Sequence, residues 1–159
     1  MSLRKRNPFL IFLILAAVCG CAPDTSTEPP SDWVRIDAGE FRFHVPPDFE
    51  PVAVQGVDSI VGSYRGSSIS LGFDYGSYSD PLRDNDQPNY TIRHEHIDGR
   101  KARIVSYDNP ESARPYAFST GIHFAAVNGN GARLTLLAAC KTRADLDTAR
   151  TVFRTIQFK

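Results

Sequence analysis

Cysteine is scarce in this chain, with 3 among 159 residues. Cys19, Cys21 and Cys140 supply neither a disulfide framework nor a CxxC metal or redox pair. Metalloprotease HExxH and hydrolase GxSxG are missing, and so is a phosphate-cradling glycine loop, because Gly62, Gly66, Gly72 and Gly76 are scattered. Ser59, Ser63, Ser67 and Ser68 are plentiful but stand in no nucleophile motif. Neither sign of charge is in excess, with 18 Lys and Arg against 18 Asp and Glu. The basic residues are interspersed with acids, which excludes the polybasic stripe of a nucleic-acid binder. There is one long apolar run, residues 9–18. As a helix it would rise about 15 Å, half of a ~30 Å hydrocarbon core, too short for a span.

That run follows Arg4, Lys5 and Arg6, and no acid precedes Asp24, so residues 1–20 have the layout of a signal peptide. Val18-Cys19-Gly20-Cys21 resembles the lipobox of bacterial lipoproteins, with Cys21 as the lipidation site. Cys19 as acceptor fits less well, because Val18 would then stand at the cleavage position. The resemblance implies cleavage before Cys21, a diacylglycerol on its sulfur and an acyl chain on the new amino terminus. Chains buried at about 0.8 kcal/mol per CH2 make such an anchor permanent. It also implies a place in the bacterial cell envelope. By the sorting preference of Gram-negative lipoproteins, Ala22, with no Asp there, points to the outer membrane facing the periplasm. The alternatives are an ordinary secreted protein with an incidental Cys after its signal and an uncleaved anchor.

Cys21 and residues 22–31, with Pro23, Pro29 and Pro30 and no large apolar side chain, read as a flexible tether over 21–31. Ten extended residues reach about 33 Å. Without Arg4, Lys5 and Arg6 the balance is 15 basic to 18 acidic residues, about −3, and no nucleic-acid partner is expected. Cys140 is then the one unmodified thiol. It closes the apolar run 134–140 and reads as a small buried hydrophobe, with Lys141 and a helix start beyond it as the case for reactivity.

Residues 32–159 are one domain's worth of chain. Ile69, Leu71, Phe73 and Tyr75 alternate with Ser68, Ser70, Gly72 and Asp74, and Phe41, Phe43 and Val45 with Arg42 and His44, so both stretches are predicted strands with one apolar face. Asp98-Gly99 and Asn128-Gly129-Asn130-Gly131 each mark a hairpin, which predicts a strand meander. Thr142 with Asp145 forms a capping pattern, and Leu146, Ala149, Val152 or Phe153, and Ile156 recur at helical spacing. The prediction is a helix over 143–153, a short strand at 156–158, a weaker helix over 49–55 and a polar loop over 81–89. The fold class is α+β, mainly antiparallel sheet with a C-terminal helix. The order of "FRFHVPPDF", the "IDGRKA" hairpin and the closing helix with "TIQF" resembles the Mog1/PsbP-like α/β/α sandwich. That resemblance implies binding or assembly assistance, and it transfers no functional residue.

Two stretches are candidates for chemistry. His94 and His96 share one strand face, with His44 and His123 on other strands, a set suited to zinc or copper; otherwise they are the wet face of a hairpin opposite Arg103 and Lys101. Asp74, Asp80, Asp84, Asn85 and Asp86 offer oxygens without the calcium-loop spacing, and Tyr75 and Tyr78 could form an exposed platform. The plain reading is a strand running into a turn whose Asp and Ser side chains bond backbone. The expectation is a lipid-anchored envelope protein that binds an envelope partner, with no catalytic residue and no cofactor assigned. The rival is a metal-binding or hydrolytic enzyme using the His94/His96 face or the Asp74 to Asp86 loop.

Overall fold

The computed structural model describes residues 23–83 and 86–159, so the leader, Cys21, Asp84 and Asn85 lie outside the described residues. The fold is α+β. Strand β1 (Val34–Asp37) pairs with β2 (Phe41–Val45), and β10 (Gln157–Phe158) joins the other side of β2, giving a three-stranded antiparallel sheet. The larger sheet has seven antiparallel strands in the order β3 (Glu50–Val52), β4 (Ile60–Arg65), β5 (Ile69–Gly76), β9 (Arg133–Cys140), β8 (Phe118–Phe124), β7 (Arg100–Asp108), β6 (Thr91–Ile97). Helix α1 spans Arg143–Arg154.

The period-two stretches fold as their pattern predicts. Along β5, Ile69, Leu71, Phe73 and Tyr75 are buried, and Phe41, Phe43 and Val45 of β2 face them. Phe73 packs edge-on against Phe41 and Phe43, at ring separations of 5.2 and 6.1 Å. Strands β6 to β9 form the expected meander. The β6–β7 turn puts Asp98 at φ 49 and Gly99 at φ 70, two successive left-handed residues that Asp-Gly tolerates. The β8–β9 loop is longer than a tight Asn-Gly turn. There the Asn128 side chain accepts from the Asn130 and Ala132 amides, and of these glycines Gly131 has positive φ.

Helix α1 opens with a complete capping box between Thr142 and Asp145 and buries Leu146, Ala149, Val152 and Phe153. It lies with the small sheet over one face of the large sheet, and the core between them draws its members from residues 41–156. Cys140 belongs to that core, and burial first, then Asp145, pushes its thiol up to about 12. It is structural, as its apolar neighbours predict.

Three expectations are corrected. Residues 49–55 form no helix: Pro51 stands in the short edge strand β3, where a missing N–H is tolerated. There is no second helical layer of an α/β/α sandwich, since α1 is the one α-helix among the described residues. The tether is held in part: Asp24 bridges to His96 in parallel, and Thr25 N–H donates to the His96 carbonyl at 2.6 Å. Ser26 Oγ accepts from Asp98 N, and Thr27 N–H donates to the Arg154 carbonyl. Small polar side chains that bury nothing apolar still satisfy an open strand edge.

Candidate functional site

The outer face of the large sheet, opposite the helix, holds the polar side chains of the meander. The register sets His94, Arg103, His123, Thr135, Asp74 and Val61 side by side across six adjacent strands. The segment between β5 and β6 must cross this face, because β9, β8 and β7 lie between those two strands. It crosses close to the sheet at Gly121, where a Cβ would come within 2.7 Å of the Leu82 side chain. Thr135 Oγ1 pins it at 2.6 Å from both Ser79 Oγ and the Asp80 carbonyl.

The crossing divides the face into two troughs. One, of about 420 Å³, is apolar, with Val61, Leu82 and Leu137 in its walls and Asp74 at its floor. The other, of about 550 Å³, is lined by Arg83, His94, Lys101, Arg103 and His123 and includes no acidic side chain among the described residues. Arg100 also borders it, but that guanidinium lies 4.2 Å from the Phe158 ring centroid and pairs with Asp98.

His123 is buried, with Nδ1 2.8 Å from Thr135 Oγ1. A carbonyl only accepts, so the single hydroxyl proton of Thr135 is spent on the Asp80 carbonyl. Thr135 therefore accepts from His123, the imidazole proton sits on Nδ1, and Nε2 is the bare nitrogen. Burial, followed by the charge of Arg133 and, more weakly, Arg103, lowers the His123 pKa against the opposing pull of Asp80. The sign for stability follows. A histidine whose folded pKa is depressed contributes fully above its unfolded value of about 6.5, and that contribution is lost as pH falls toward the folded value. His123→Asn, which keeps an N–H for Thr135 and does not titrate, is expected to flatten the fall in unfolding free energy from pH 6.5 to 5, measured by urea denaturation. His44, also lowered by burial, retains its own share of the slope.

His94 and His96 stand opposite Arg103 and Lys101, the pairing that the two-residue turn predicts. His94 and His123 both reach the cationic trough, but two strand spacings, about 10 Å, separate their backbones and Arg103 lies between. His44 is on the small sheet. Among the described residues no three His, Cys, Asp or Glu side chains gather where a metal ion would sit. In the acidic stretch Asp80 accepts from Leu82 N and Ser79 Oγ bonds the Asp74 carbonyl, the backbone-bonding turn expected of it. Asp86 is exposed, and Asp84 and Asn85 fall outside the described residues. Tyr75 and Tyr78 make no platform, for Tyr75 is core and Tyr78 is 88% exposed. Thr135, which orients His123 and pins the crossing, had no marker in the sequence. Its role depends on strand order, which local pattern does not encode. The chain matches no protein-family model and no curated protein.

Proposed function

We propose that this chain is a lipid-anchored protein of the bacterial cell envelope that works by binding, and that an anionic ligand occupies the trough at Arg83, His94 and Lys101. The observation that carries the reading is the charge of that trough: Arg83 of the crossing segment, His94 of β6 and Lys101 of β7 converge on one cavity. Such groups recognise phosphate or carboxylate oxygens by charge-assisted hydrogen bonds. The sequence, which has no GxSxG, HExxH or CxxC motif, supports binding over catalysis. So does the chemistry of His123: its Nδ1 is oriented by a hydroxyl and not by a carboxylate, and the buried Cys140 thiol is too basic to serve as a nucleophile.

The anchor rests on Val18-Cys19-Gly20-Cys21, and mass spectrometry of the mature product is expected to show an acylated Cys21 at its amino terminus. Inorganic phosphate titrated into the mature chain is expected to shift the amide resonances of His94, Lys101 and His123. Arg83→Glu/Lys101→Glu is expected to weaken that binding more than about tenfold. Unmoved trough resonances in the parent protein would overturn the reading. Stoichiometric zinc that disappears in His94→Ala/His96→Ala would replace it with the metal-binding one.

A further inference from the structure

The anion trough opens beside the place where the anchoring segment docks, and this juxtaposition identifies its ligand. Asp24 bridges to His96, and His96 pairs with Lys101, so one strand separates the docked segment from the trough. The docking is polar and multiple. Asp24 Oδ2 accepts from Gly99 N at 2.6 Å, and Thr25 Oγ1 donates to Glu95 at 2.9 Å. Ser26 and Thr27 add bonds to Asp98 and Arg154. Two described acids at this corner are engaged: Glu95 by Arg154, and Asp98 by the Phe158 amide and Arg100.

Cys21 precedes Asp24 by three residues, a reach of at most about 11 Å. The headgroup layer of one leaflet is roughly 5–8 Å thick. A wholly free tether over 22–31 would allow about 33 Å and any orientation. A segment fixed from Asp24 onward instead keeps the β6–β7 corner at headgroup level. The mature chain is net acidic, about −3, so a negative surface does not attract the body as a whole.

We infer that the anion held in the trough is the phosphate of a lipid headgroup in the membrane that carries the anchor, an inference that rests on the trough being an anion site. It binds as a second, headgroup-level contact and sets the orientation of the domain on the bilayer.

The test uses the mature chain from residue 21 with Cys21→Ser, which cannot be acylated and contains the complete core, as residues 41–156 show. Vesicles of phosphatidylcholine alone and of phosphatidylcholine with phosphatidylglycerol are compared by sedimentation, alongside inorganic phosphate in solution. The expected result is binding to the phosphatidylglycerol vesicles that falls more than about tenfold in Arg83→Glu/Lys101→Glu. It is expected to persist in Arg35→Glu/Arg42→Glu, an equal charge change on the small sheet. Melting followed by circular dichroism confirms that both variants fold. Phosphate binding without vesicle binding overturns the lipid assignment and leaves the anion site standing. Absence of both overturns the two together. Equal loss in the two variants assigns the effect to overall charge and overturns the inference.

Discussion

Gly62→Ala is expected to lower the unfolding free energy by about 1–3 kcal/mol, read from urea denaturation, because the methyl group has nowhere to go. Gly62 pairs with Phe73 across β4 and β5, and a Cβ built there falls 2.6 Å from Phe73 Cζ. The ring cannot swing away, since Phe41 and Phe43 hold its other side. The added methyl must displace either that aromatic cluster or strand β4. Gly129→Ala is the control: a Cβ there meets nothing within 4 Å, and its stability is expected to stay within about 0.5 kcal/mol of the parent. A Gly62→Ala protein as stable as the control would show that the ring has freedom the packing denies it.

Glu95→Ala is expected to cost about 2–4 kcal/mol and to free the N-terminal segment. The Glu95 side chain is 12% exposed and binds Arg154 through both oxygens, at 2.8 and 2.9 Å. Its removal leaves a half-buried guanidinium without its counter-charge and Thr25 Oγ1 without its carboxylate partner. Hydrogen exchange is expected to accelerate at the Thr25 and Thr27 amides while the β8 and β9 amides keep their protection. The Arg154 guanidinium, reinforced by Thr25, holds the Glu95 carboxyl below the ordinary range. A depressed carboxylate stabilises the fold above its unfolded value of about 4.3 and loses that contribution as pH falls through the folded value. Glu95→Ala is therefore expected to flatten the acid limb of the stability profile as well. Unchanged exchange at Thr25 would mean that the segment is held by its backbone bonds alone.

The two predictions test different kinds of information in the sequence. The alternation that places Phe73 and Phe41 in the core is visible residue by residue, since a side chain two positions along a strand returns to the same face. The capping box at Thr142 and Asp145 and the Asp98-Gly99 turn are equally local, and from that turn the opposition of His94 to Arg103 could be counted. The next step could not. His123, Thr135 and Asp74 continue the row only because β9 lies between β5 and β8, a long-range order that no local pattern encodes. For the same reason the crossing segment reads as a polar loop while its path over the sheet stays hidden. Residues 24–27 misled for a different cause: composition reports what a segment buries, and their contribution is hydrogen bonds to a strand edge. Prolines at 46, 47 and 51 spoke against a helix, yet only the pairing partner β4 could supply the strand that replaced it.

The rims of the large sheet have a consequence wherever copies of the chain are crowded together. Crowded molecules collide side to side more often, and an unsatisfied strand edge is a template for joining them into ribbons. Here one rim is a three-residue strand interrupted by Pro51, and the other has its His96 carbonyl already taken by Thr25. Residues 24–27 thus also blunt the side on which neighbours would stack, favouring separate molecules over ribbons.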